Sequence, residues 1–122
     1  MKSLERKEFL FDVFTTALEG AIGYWAYSET YHWQNKGVAD LDNFSSIVID
    51  AEEEEAFERV AINQAVIAKG INLILNDENF EINDGLKSAI LEANRKNDAG
   101  LIDGNCADCI VQAGLFGSIV FG

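Results

Sequence analysis

The chain has 122 residues, 48% of them hydrophobic and 25% charged, the balance of an ordinary folded domain, and its length points to one domain spanning residues 1–122. Nine basic residues against 21 acidic ones leave a formal charge of −12. A field of that sign repels phosphate backbones and anionic membranes, so direct DNA or RNA binding and membrane association are not expected. No apolar run is long enough for a membrane-spanning helix. The opening "MKSLERKEFLFDVF" interleaves charges with apolar residues and lacks the apolar centre of a signal peptide, so a cytosolic protein is expected.

Ser3 is placed to cap a helix over residues 4–19, with Leu10, Val13, Phe14, Ala17 and Leu18 on one face and Gly20 just past its end. "IGYWAYSETYHWQ" follows. Trp25, Tyr27, Tyr31 and Trp33 share one parity, and aromatic residues favour strands, so residues 22–34 read as a strand with these rings on one sheet face. Ser28–Thr30 is the place for a bend or bulge. "NKGVADLDN" reads as a loop and "FSSIVID" as a second strand. Glu52–Glu55 suit a solvated hairpin tip before a third strand over residues 57–62.

Asn63 caps a helix in "QAVIAKGINLILN", where Ile67, Ile71 and Ile74 form a stripe. Asn83 or Asp84 caps the next, with Leu86, Ala89, Ile90 and Ala93 inward. Asp103 caps "GNCADCIVQAGLFG", which is apolar almost all round and is expected to be the central buried helix. "SIVFG" can add a fourth strand. Strands cluster and helices cluster, so the fold class is α+β with an antiparallel sheet.

The chemistry-bearing residues are few. Cys106 and Cys109 lack the second ligand pair of a structural zinc site and the strand–helix–strand setting of a redox motif, so they read as packing residues. His32, the one histidine, has no nucleophile at a meaningful spacing. No glycine-rich phosphate loop is present, and "EGAIG" follows a helix where a phosphate cradle follows a strand. No catalytic residue, metal or cofactor is expected, and the chain does not read as an enzyme. Asp108 and Gln112 are one helical turn apart inside the apolar last helix, so both must be hydrogen-bonded, either to neighbouring backbone or as the floor of a pocket.

The aromatic stretch gives the binding-site expectation. Tyr24, Trp25 and Tyr31 offer flat faces and polar edges for a planar ring, Glu19 and Gly20 stand at the junction before them, and Asp108 and Gln112 offer hydrogen bonds. Arg59 and Arg95 are candidates to meet a phosphate. The alternative for Trp25 is packing beneath the helices.

"TTALEGAIGYWAYSETYHW" together with "DGNCADCIVQAGLFGSIVFG" resembles a family of small phage- and prophage-encoded proteins. Their pattern near the start is T-x-A-x-E-G-G-x-x-Y-W, met here by Glu19, Gly20, Tyr24 and Trp25. Their C-terminal pattern is met by Asp103, Asp108, Gln112, Leu115, Phe116, Gly117, Val120 and Gly122. Ala21 stands where the family has a second glycine. The resemblance implies a viral protein in the cytoplasm of an infected bacterium, acting against host defence. Two non-enzymatic roles follow. One is a homo-oligomer that sequesters a small nucleotide-type immune signal in an aromatic pocket. That is the expected role, and the alternative is an acidic inhibitor that imitates nucleic acid and binds a host defence protein.

Overall fold

The computed structural model describes residues 2–51 and 57–122. The expected hairpin tip at Glu52–Glu55 lies outside the described residues. The architecture is α+β: an N-terminal helix, a three-stranded antiparallel sheet, then helices. In chain order the elements are α1 (Leu4–Thr16), β1 (Ala26–Ser28), β2 (Gln34–Asn35), β3 (Val38–Ala39), β4 (Ser45–Asp50), β5 (Val60–Asn63), α2 (Gln64–Asn76), α3 (Asp84–Lys96) and α4 (Gly104–Phe116).

The helices begin where their caps stand. Ser3, Asn63 and Asp103 each accept a hydrogen bond from the backbone N–H three residues on, at Arg6, Val66 and Cys106. Asn83, not Asp84, caps α3, through the N–H groups of Gly85 and Leu86. Each cap satisfies a donor that the first helical turn leaves without an intrahelical partner. α1 is shorter than the sequence predicts. Its α-helical bonding ends at Thr16, and Ala17–Ala21 form a wider π turn in which Ile22 N–H reaches the Ala17 carbonyl at 3.2 Å. Glu19 and Gly20 therefore lie on this turn rather than on a regular helix.

The expected long strand over residues 22–34 is also broken up. Trp25 precedes β1 in a turn, with Trp25 N–H and Ala26 N–H both directed at the Ile22 carbonyl. β1 pairs with β4 with Ser28 opposite Val48, yet His32 faces Ser45, so four steps along one strand match three along the other. The extra residue is a bulge at Glu29–Thr30, whose two N–H groups converge on the Ile47 carbonyl at 2.7 and 3.4 Å. Thr30 Oγ1 accepts the Ile47 N–H at 3.0 Å, and the Ser28 and Ser46 hydroxyls both donate to the Thr30 carbonyl. This fixes the bend at the place the sequence suggests.

A one-residue bulge exchanges the two faces of a strand. Tyr27 and Tyr31 share parity but not a face: Tyr27 is exposed, while Tyr31 packs toward the core with its ring 5.7 Å from Phe14. The expected loop after β2 contains a two-residue hairpin. Lys36 and Gly37 both take positive φ, 54° and 82°, which is the backbone of a type I′ turn.

Behind the sheet the core is built on α4, as its all-round apolarity predicts. Cys106, Ala107, Ile110, Val111 and Ala113 are buried, against Ile67, Ile71 and Ile74 of α2 and Leu10, Val13 and Phe14 of α1. α2 and α4 cross at Gly70 and Gly114. A Cβ on Gly70 would run into the Ile110 carbonyl, and one on Gly114 into the Val66 carbonyl. The predicted C-terminal strand does not form. The tail after α4 joins no sheet, because its backbone groups are taken by a side chain described below.

The crossing gives a test. Gly114→Ala should destabilise the fold by about 2–3 kcal/mol or more, since the obstruction is backbone and cannot swing aside. Gly104→Ala, whose new Cβ would sit at an ordinary 3.6 Å from the Ala21 Cβ, should shift the denaturant midpoint little. Chemical denaturation of both variants checks this.

Candidate functional site

The two ends of the chain meet at one buried carboxylate. Asp108 lies on the inward face of α4. Tyr24 Oη donates to its Oδ2 at 2.5 Å, and Trp25 Nε1 donates to its Oδ1 at 2.8 Å. Gln112, one turn further along α4, donates to Oδ1 at 2.9 Å. Three donors surround the carboxylate, and among the described residues no cation pairs with it.

Gln112 carries the connection on to the tail. Its Oε1 accepts the N–H groups of Val120 and Phe121 at 2.8 and 2.7 Å, and its Nε2 donates to the Phe121 carbonyl at 3.2 Å. Gly117, in the left-handed conformation at φ 76°, ends α4 and turns the chain back. A side-chain amide thus replaces the strand neighbour the tail would need. The Phe121 ring then lies flat on Trp25, centroids 4.9 Å apart and planes 5° off parallel. Phe57 and Phe116 present their edges to Trp25, each at 5.7 Å.

The sequence-predicted site residues therefore divide. Tyr24, Trp25, Asp108 and Gln112 come together as expected. Their polar atoms are occupied from within, and the Trp25 ring is covered, at only 1% exposed. The Tyr24 ring is 49% exposed, with its hydroxyl anchored on Asp108. Tyr31 stands apart, beside Glu19. Its hydroxyl is shielded from solvent without a hydrogen bond of normal geometry, and burial, then the Glu19 charge, push its phenol up to about 12. Gly20 shares the turn with Glu19, and its carbonyl accepts Gly23 N–H at 3.1 Å.

Arg59 and Arg95 are not brought to the cluster. Arg59 grips Glu29 with two contacts, at 2.7 and 2.9 Å, and Arg95 meets Glu92 at 3.1 Å. The residues that sequence reasoning missed are Phe57, Phe116 and Phe121, which fill the space a planar ligand would take. Phe116 stood in the quoted terminal pattern, and Phe121 adjoins two of its members.

The remaining chemistry is muted. Burial pushes the Cys106 and Cys109 thiols up to about 11, away from the thiolate form that reacts. His32 Nε2 meets Asp40 Oδ2 at 2.7 Å, a contact that holds the Asp40 carboxyl below its usual range. Among the described residues no group of three or more His, Cys, Asp or Glu is arranged to hold a metal ion, and no helix is long and apolar enough to cross a membrane. Comparison of the chain with family models, curated proteins and solved structures found no match.

The cluster predicts two stability effects. Asp108→Ala leaves three donors without their acceptor and should cost about 2–4 kcal/mol, whereas Tyr24→Phe should cost about 1 kcal/mol or less, read by urea denaturation. Burial, then the hydrogen bond and charge of Asp108, push the Tyr24 phenol up to about 12 from 10.0. The folded chain holds this proton where the unfolded chain has lost it, so stability should fall as pH rises from about 10 to 12. Tyr24→Phe should shallow that fall in alkaline denaturation.

Proposed function

We propose that the protein is a non-enzymatic binding protein whose acidic surface inhibits a basic host defence protein. The setting is the one the sequence resemblance implies, the cytoplasm of a phage-infected bacterium. The observation that carries this reading is a groove along α1 in which carboxylates outnumber cations. Glu5, Glu8, Asp12 and Asp98 line a space of about 420 Å³ with Phe9, Lys96 and Asn97, and Arg6 lies over Phe9 and donates to Asn97. The Asp12 carboxyl is pushed up, by burial first and by the neighbouring Glu8 second. Like charges held this close work against the fold, and a partner bearing Lys or Arg relieves them.

A second reading, sequestration of a planar nucleotide-type ligand by a homo-oligomer, draws support from the convergence of Tyr24, Trp25, Asp108 and Gln112. It requires Phe121 to leave Trp25. It also lacks a cation at the cluster, since Arg59 and Arg95 are paired elsewhere.

A thermal-shift panel of cyclic nucleotides, ADP-ribose derivatives and nucleotides separates the two. The acidic-inhibitor reading predicts no shift, and a clear shift from one class would favour sequestration. Affinity purification from infected lysate should then recover a basic protein that the triple variant Glu5→Gln/Glu8→Gln/Asp12→Asn retains poorly. Recovery unchanged by that variant, or by raised salt, contradicts the reading.

Asp12 provides a stability test. Its folded pKa is raised, so the folded state binds the proton more tightly and stability falls as pH climbs through that range. At neutral pH Asp12→Asn should therefore raise the melting temperature, and the gain should vanish in acid. That is the pattern of a residue kept for binding at a cost to the fold.

A further inference from the structure

The helices cover one face of the β1–β4–β5 sheet, the face that buries Ser46, Val48 and Ile62, and among the described residues no helix covers the other. On that outer face the register sets Tyr27 beside Ile49, and Ile47 beside Ala61. An apolar run thus crosses all three strands. Tyr27 is 64% exposed, Ala61 is exposed, and Ile47 and Ile49 are half-buried. A shallow depression of about 250 Å³ opens beside Tyr27 and Ile49. On the same face Arg59, just before β5, reaches across β4 to Glu29, just after β1, and the closed pair adds no uncompensated positive charge. Single exposed apolar side chains are ordinary, whereas neighbouring ones on three strands form a candidate interaction surface.

We propose that this sheet face docks a basic amphipathic segment of the partner protein, with that segment's apolar side chains on Tyr27, Ile47 and Ile49 and its Lys or Arg residues around the margin. The proposal rests on the acidic-inhibitor reading and adds an apolar contact surface to the acidic groove along α1. Charge complementarity selects the occupant. A chain at −12 repels a second copy of itself, a nucleic acid and an anionic membrane alike, and it attracts an apolar stripe flanked by cations. The exposed Tyr27 ring also offers its face to a guanidinium or ammonium group. The two features divide the work: long-range charge sets how fast the partner arrives, and the desolvated apolar centre sets how long it stays.

The probe is a fluorescently labelled helical Leu/Lys peptide, compared with a scrambled Leu/Lys peptide of the same composition and a Leu/Glu peptide of the same pattern. Anisotropy gives affinity, and amide chemical shifts give location. The helical Leu/Lys peptide should bind best, with shifts centred on Tyr27, Ile47 and Ile49. Tyr27→Asp adds a negative charge while removing the ring, so it keeps the electrostatic attraction. It should nonetheless weaken binding by about tenfold or more. Because Tyr27 is mostly exposed, this variant should fold, and its melting curve checks that.

Four results would overturn the proposal. Tyr27→Asp could bind as tightly as the parent. The scrambled peptide could bind as well as the helical one. The shifts could centre on Glu5, Glu8 and Asp12. Sedimentation could show a self-association that Tyr27→Asp abolishes, which would make the occupant a second copy. None of these touches the lysate experiment with the α1 variant, so the docking face can fail while the acidic-inhibitor reading stands.

Discussion

A carboxylate buried without a cation constrains the rest of this molecule. Taking a charge out of water is costly, and near Asp108 the cost is offset only by hydrogen bonds, from Tyr24, Trp25 and Gln112. Each donor comes with a structural consequence. The Trp25 bond sets the indole edge-on to α4 and leaves its face for Phe121. The Tyr24 bond ties the turn after α1 to the same helix. The Gln112 bond orients an amide whose remaining atoms hold the tail. One acidic side chain thereby ties α4 to residues 83 and 84 positions away along the chain.

The helix crossing provides the second constraint. α4 sits centrally because Gly70 and Gly114 let it approach α2 to backbone contact. That approach fixes where Asp108 and Gln112 point, and so where the two chain ends meet. The sheet is subordinate to this frame. Its inner face closes the core through Val48 and Ile62, and its bulge turns Tyr31 inward while Tyr27 stays in solvent. Among the described residues no helix covers the outer face, which carries Tyr27, Ile47 and Ile49 beside the Arg59–Glu29 pair.

The sequence made some features legible and others not, for definable reasons. The starts of α1, α2 and α4 were readable because a capping side chain acts over three residues, and Ser3, Asn63 and Asp103 do so here. The bulge was locatable at Ser28–Thr30, but its effect on the faces was not. Parity counting assumes an unbroken strand, so Tyr27 and Tyr31 were expected on one face. The tail read as a strand because "SIVFG" has strand composition, and composition does not reveal that a side chain eight residues upstream will take its N–H groups. The convergence of Tyr24 and Trp25 with Asp108 and Gln112 was legible from the two terminal patterns. That Phe57, Phe116 and Phe121 would fill the space around Trp25 was not, because it depends on where three separate segments arrive in the fold.

These relations make Tyr24, Trp25, Asp108 and Gln112 a closed lock in the fold, with Phe121 over the Trp25 face. Hydrogen exchange of the two indole N–H groups tests this most directly. If the lock is structural, the Trp25 indole N–H exchanges only through global unfolding. Its opening free energy then equals the stability from denaturation and falls in step with it in destabilised variants such as Gly114→Ala. The half-exposed Trp33 provides a fast-exchanging reference. Exchange at Trp25 that is much faster than global unfolding, and insensitive to Gly114→Ala, would contradict the account, because it would mean that the tail leaves and a cavity opens while the rest of the protein stays folded.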